Sequence, residues 1–302
     1  MELWIPITIG AATAQTLRFM LQKRLKGMAL STAGATFARF IYSSPLVAVI
    51  ACVYAVTSGQ GAPDIPAAFW PYALAGGTSQ ILATMCVVAL FSHRNFAVGI
   101  TFKKTEVLLS AFFGFLILGD TFTTLTILAM LIGLAGVLLL SDPPGGVGPW
   151  HQRIFNRATA LGLGAGVLFG ISGNGYRGAS LSLGDGDGDV FYRAIITLAL
   201  VTAFQTLAMA LWLVWRERGE IGRVLASWRV AGLVGITSMI GSICWFTAFT
   251  LQNAAYVNAV GQIELLFSLM VGAFVFGEKV TAREWQGLGL LTASIIMLVL
   301  LL

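Results

Sequence analysis

KKTEVLLSAFFGFLILGD, residues 103–120, and GQIELLFSLMVGAFVFGE, residues 261–278, are two copies of one pattern set 158 residues apart. Glu106 falls over Glu264, Leu108 over Leu266, Ser110 over Ser268, Gly114 over Gly272, Gly119 over Gly277 and Asp120 over Glu278. The register runs without a gap from Arg94–Leu140 over Gln252–Leu298, adding Asn95 with Asn253, Ala97 with Ala255 and Thr123 with Thr281. At a shift of 154, Phe37 and Arg39 meet Phe191 and Arg193, so an earlier segment of each half corresponds as well. Two glutamates inside apolar runs, each followed by a Gly-acidic turn at the same distance, mark a tandem duplication.

The apolar run around each glutamate belongs to a series. Of 302 residues, 57% are hydrophobic and 10% charged, more apolar side chain than one water-surrounded core of this size can hide. Runs broken at Gly, Pro and charge clusters predict spans near 3–21, 32–56, 67–91, 97–118 and 122–140, then 158–176, 189–215, 230–251, 255–276 and 280–302. The connection 141–157, with Pro143, Pro144, Gly145 and Gly146, divides them into a first repeat, 1–140, and a second, 158–302. The expected fold is an all-α integral membrane protein of ten transmembrane helices, arranged as two inverted five-helix repeats around a central cavity. Inversion follows because five is odd, so the second copy enters the membrane from the opposite side.

Basic residues gather in the odd-numbered connections: Lys23, Arg24 and Lys26, then Arg94, then Arg153 and Arg157, then Arg216, Arg218, Arg223 and Arg229, then Lys279 and Arg283. This bias places those connections in the cytoplasm and both termini outside. Seven of eight tryptophans, Trp4, Trp70, Trp150, Trp212, Trp215, Trp228 and Trp285, fall near span ends, as interfacial indoles do, and Trp245 is the exception. The net charge of +5 is scattered over short loops, which argues against a nucleic-acid surface. Cys52, Cys86 and Cys244 lie in apolar runs without metal-ligand spacing. The Ala12–Ala14 stretch lacks a preceding basic region, so the first run is read as a retained helix.

The two segments from Thr105-Glu106 to Gly119-Asp120 and from Glu264 to Gly277-Glu278-Lys279, each followed by one last span, resemble the paired EamA-type domains of the drug/metabolite transporter superfamily. The resemblance implies ten helices, a cavity between the halves, and carriage of amino acids, amines, nucleotide precursors or other metabolites, often outward.

Glu106 and Glu264 lie about ten residues into their spans, roughly 15 Å along the axis and near the bilayer midplane. A charge there costs about 2.5–3.5 kcal/mol on the insertion scale, so each is a candidate for substrate binding or protonation as well as for a helix-bridging hydrogen bond. Lys103 sits one turn before Glu106 and shares its face. Lys104 points elsewhere; with Arg39 and Arg18 it offers an anion site, while snorkelling to the headgroups is the plainer reading for Lys104 and Arg18. Gly261 and Gln262 stand in the second half where the lysines stand in the first. Asn258 and Gln262, Ser242 and Trp245, Asn174 and Tyr176, Gln80 and Gln15 complete the candidate substrate-binding set, with Trp245 able to stack on an organic cation that Glu264 would neutralise.

Other patterns fail on spacing. Gly162, Gly166 and Gly170 form a small-residue ridge for close helix contact, with no Lys-Ser or Lys-Thr pair for a phosphate loop. Asp185, Asp187 and Asp189 begin like a calcium loop, but Val190 and Ile196 occupy the positions needing Gly and Glu. His93 and His151 are isolated loop residues. The expected function is a secondary carrier without cofactor or metal, moving an amino acid or organic amine out across a bacterial inner membrane, with protons as a candidate coupling ion, as monomer or homodimer. The alternatives are an anionic or nucleobase-like solute, an intramembrane enzyme, a scramblase or a non-transporting subunit.

Overall fold

The computed structural model describes residues 2–28, 30–61, 63–90, 103–140, 157–184, 189–267 and 282–301. Among these residues every regular element is helical: α1 (Trp4–Gly27), α2 (Thr32–Thr57), α3 (Phe69–Leu90), α4 (Glu106–Leu118), α5 (Thr124–Leu140), α6 (Arg157–Leu181), α7 (Val190–Arg216), the short α8 (Glu220–Ala226), α9 (Trp228–Leu251), α10 (Ala254–Gly261) and α11 (Ala282–Leu300). Helices α2, α3, α7 and α9 are long and apolar enough to cross a bilayer, and shorter apolar helices lie at Glu106–Leu118, Thr124–Leu139 and Trp285–Leu300. Large apolar side chains stand bare along them, Phe115 at 60% and Leu211 at 71% exposure, as lipid-facing residues do. The chain is a multi-pass membrane protein.

The four most extensive helix pairs are α3 with α6, α1 with α9, α5 with α11 and α2 with α7, and each joins a helix before residue 141 to one after residue 156. The two halves therefore interlock instead of packing as separate bundles. Small residues permit the approach. A Cβ on Gly175 would lie 2.9 Å from the Tyr72 carbonyl on α3, and one on Gly136 would lie 2.8 Å from the Gly287 carbonyl on α11. The Ser294 hydroxyl donates to the Ala129 carbonyl at 2.6 Å, closing α11 on α5. The expected Gly ridge on α6 serves the same end, because a Cβ on Gly170 would meet the backbone of Leu109 and Ser110 at 3.2 Å.

Two expectations need correction. Helix α1 continues to Gly27, beyond the predicted end, so Arg18 lies within the helix body and is 3% exposed instead of snorkelling. Trp4 is 3% exposed, packed in the core, and does not present its ring at the surface. The connection at 141–156, with Trp150, His151 and Arg153, lies outside the described residues, as do His93, Arg94, Asp185, Asp187, Ser268, Gly277, Glu278 and Lys279.

Candidate functional site

Both glutamate-bearing spans are interrupted at the charge. Lys103 is helical, Lys104 and Thr105 turn, and α4 begins at Glu106; α10 ends at Gly261, Gln262 and Ile263 turn, and helix resumes at Glu264. The two breaks sit 158 residues apart, in the register of the sequence repeat. At each, the carboxylate is the first residue of the next helical stretch, where the positive end of the dipole favours an anion. Irregular backbone at membrane depth persists only inside protein or beside a cavity. Gly166 provides part of that cover, since a Cβ there would come within 2.8 Å of Thr105 Oγ1 and 3.1 Å of the Lys103 carbonyl.

The breaks bring four charges together, two of each sign. Lys103 Nζ donates to Glu106 Oε1 at 3.0 Å, as the one-turn spacing predicts. Lys104, 1% exposed, forms an ion pair with Glu264 of the other half. The expectation that Lys104 snorkels is therefore overturned, because the turn at 104–105 aims it inward. Lys103 Nζ is also 4.0 Å from Glu264 Oε1, and Gln15 Nε2 donates to Glu264 Oε2 at 2.8 Å. The two carboxylates are thus neutralised by two lysines of the first half.

Arg39, on α2, is 4% exposed and has a different set of partners. Nε donates to Ser238 Oγ at 2.9 Å, Nη1 to Thr84 Oγ1 at 3.1 Å and Nη2 to Ser242 Oγ at 3.4 Å. Among the described residues it makes no ion pair with a carboxylate. Arg18 Nη2 donates to Gln15 Oε1 at 3.4 Å and its guanidinium lies 4.5 Å from the centre of the Phe19 ring.

A cavity of about 40 Å³ opens between these groups. Gln15, Arg39, Gln80, Lys103 and Glu106 supply its polar wall together with Ser172, Ser242 and Asn258, while Phe169, Tyr176, Trp245, Phe246 and Phe249 supply its aromatic wall. Trp245 stacks on Phe249 with centroids 5.5 Å apart, and Tyr176 on Phe246 at 4.2 Å. In this conformation there is room for a few waters or one carboxylate-sized group.

Residues 158–300 match the model of the EamA-like transporter family. This second half is EamA-like. A search of curated proteins gave no match. A solved crystal structure superposes on 99% of this chain and 97% of its own length, with a TM-score of 0.69 and 14% identity, a likeness that shows the fold alone. Glu264, Asn258 and Trp245 thus fall inside the matched EamA region, whereas Arg39, Lys103, Lys104 and Glu106 come from the half before it.

Of the expected substrate-binding residues, Gln15, Arg39, Gln80, Lys103, Glu106, Tyr176, Ser242, Trp245 and Asn258 line the cavity. Glu264, Lys104, Gln262 and Asn174 are not on its wall. Asn174 Nδ2 donates to the carbonyls of Ser110 and Gly170, both at 2.9 Å, and so fastens α6 to α4. Asn258 Nδ2 donates to Ser110 Oγ at 2.7 Å, which holds α10 against α4. Sequence reading passes over Thr84, Ser238 and Gln205. The 158-residue register pairs Gln80 with Ser238 and Thr84 with Ser242, a signal sufficient to expose the first two. Gln205, fully buried, donates to Gln80 Oε1 at 2.9 Å and to the Tyr176 hydroxyl at 3.2 Å. Outside the spans, at the α4–α5 turn, burial raises the Asp120 carboxyl above its ordinary value while Arg177 opposes the shift.

Proposed function

We propose that this EamA-type chain is a secondary carrier that moves a small polar metabolite across a bacterial inner membrane by alternating access between two inverted five-helix halves. The observation that carries the reading is the pair of helix breaks at Glu106 and Glu264, at equivalent positions and beside one cavity. Discontinuous helices meeting at a midplane site are the recurring architecture of such carriers. The pairing of helices supports the inversion: exchanging α1 with α6, α2 with α7, α3 with α9 and α5 with α11 turns the α1–α9 contact into α6–α3 and leaves the α2–α7 and α5–α11 contacts as they are. On the bias of basic residues, the end of α7 with Arg216 and α8 with Arg223 belong in the cytoplasm and both termini outside, with outward movement as the working direction.

Between the two solute classes expected from the sequence, the occupied carboxylates weigh against the amine and in favour of a solute carrying negative charge. Glu264 holds Lys104 and Gln15, and Glu106 holds Lys103, so a cationic solute would have to displace a lysine from either.

Counterflow into proteoliposomes tests the carrier. Purified chain should give saturable uptake of a labelled solute only when the lumen holds the same solute, without ATP, and a protease added outside right-side-out vesicles should remove a C-terminal tag. Binding without counterflow for every solute class would overturn the carrier reading in favour of a non-transporting subunit.

A further inference from the structure

The cavity wall carries Arg39, Lys103 and Glu106, and off the wall Arg18 and Glu264 each bond to its Gln15, with Lys104 paired to Glu264. All six are at most 7% exposed, so bulk water compensates none of them fully. The ion pairs tie the lysines to the glutamates, which leaves the two guanidiniums without a carboxylate among the described residues. Among the described residues Arg39, on the cavity wall, donates to hydroxyls alone. Three residues along α9 from Ser242, Trp245 lies on the same helix face, and its indole N–H has no acceptor among the described residues. A guanidinium held by neutral hydroxyls, one of those hydroxyls and a residue with an unpaired indole N–H therefore border one small cavity, next to stacked aromatic rings.

We propose that the cavity binds organic monoanions, a carboxylate on Arg39 and Ser242 in the space present here, with a flat apolar body against Trp245 and Phe249 when the cavity widens, and selects against amines and against amino-acid zwitterions. This rests on the carrier reading for its physiological sense but not for its binding geometry. The carboxylate supplies the negative charge that Arg39 lacks. An ammonium group finds both glutamates already engaged and two guanidiniums nearby, so adding one to the solute weakens binding.

Thermal shift of the full-length chain in detergent decides it with a matched series: phenylacetate, phenylalanine, phenethylamine, acetate and inorganic phosphate. Phenylacetate should raise the melting temperature most. Phenylalanine should bind at least about tenfold more weakly, and phenethylamine should give no shift. Acetate, lacking the ring, and phosphate, lacking the apolar body, should each bind at least about tenfold more weakly than phenylacetate. Arg39→Lys, which keeps the charge and loses the planar fork, should weaken phenylacetate at least about tenfold while eluting as a folded monodisperse species. Trp245→Phe, which keeps a ring and loses the N–H, should weaken it several-fold. Stabilisation by phenethylamine or phenylalanine in preference to phenylacetate overturns the proposal, as does phenylacetate binding unchanged in Arg39→Lys. Phosphate binding more tightly than phenylacetate overturns the carboxylate class in favour of a phosphorylated solute. Counterflow separates the two readings: amine flux without anion binding sinks this proposal and leaves the carrier standing, whereas Arg39-dependent anion binding without flux does the reverse.

Discussion

The break at Lys103-Lys104-Thr105-Glu106 and the break at Gly261-Gln262-Ile263-Glu264 share a turn, a register and a carboxylate at the start of the following helix. They differ in where the countercharge comes from. Glu106 is met by Lys103 from one turn before it, whereas Glu264 has a glycine and a glutamine before it and is met by Lys104 and Gln15, both from the first half. The acid and the backbone irregularity occur in both copies; the neutralising lysines occur in one. The consequence is a lopsided cavity in which the first half contributes both cations of the wall and the second contributes Trp245 and its stacked neighbours. A repeated sequence thereby lines the cavity with an asymmetric surface.

The largest effect should come from breaking the loan of Lys104 to Glu264. Lys104→Met leaves a buried carboxylate without its main partner, and removing one member of a buried pair costs about 3–5 kcal/mol. Lys104→Met combined with Glu264→Gln removes both charges and should recover most of that loss, because a neutral pair carries no uncompensated burial. Melting temperatures of the single and double variants check this. An unchanged melting temperature in Lys104→Met would mean that Glu264 draws its neutrality from elsewhere, and the contrast between the halves would lose its basis.

A smaller effect should follow at the second donor on Glu264. The Gln15 amide donates to Oε2 while Lys104 occupies Oε1, and hydrogen bonds to charged groups contribute about 1.5–3 kcal/mol. Gln15→Met should cost an amount in that range, read from denaturation of the detergent-solubilised chain. Displacing the sequence by 159 residues aligns Gln15 with Asn174 and Arg18 with Arg177, yet Asn174 serves the backbone of α4 and α6 instead of Glu106. Asn174→Met should therefore cost about 0.5–1.5 kcal/mol, the worth of an ordinary neutral hydrogen bond. Equal losses at the two positions would show that the halves treat their glutamates alike.

The helical membrane character, the two glutamates and most of the cavity wall are legible in the sequence, because apolar runs and a shifted register are local signals that survive duplication. The pairing of Lys104 with Glu264 is not legible. Nothing in an uninterrupted apolar run from 97 to 118 announces a turn at Thr105, and without the turn Lys104 points away. Arg18 misleads for a related reason: standing just ahead of Lys23, Arg24 and Lys26, it reads as part of the basic end of a span, when the helix carries on past it to Gly27. The hydroxyls around Arg39 escape a sequence reading because serine and threonine inside apolar helices commonly bond their own preceding turn, as Thr8, Thr16 and Thr202 do here, and so carry little information singly.

The last and smallest test concerns what fills the place of Lys103 in the second half. Its counterpart Gly261 faces the ring of Trp245, and a Cβ there would come within 2.5 Å of the indole Cη2 atom. Gly261→Ala must therefore push the indole, which its stacking on Phe249 resists, and overpacking of this kind costs about 1–3 kcal/mol. The ring borders the cavity and can yield toward it, so the cost belongs at the low end of that range. In a Trp245→Leu background the obstacle is gone, and the same Gly261→Ala change should become neutral or slightly stabilising, since alanine favours helix over glycine by up to about 1 kcal/mol. A coupling of that sign between the two sites would establish that the indole occupies the space which a lysine occupies in the first half. Additive losses would mean that the glycine answers to the turn at Gln262 and Ile263 instead, and that the aromatic wall is independent of the break.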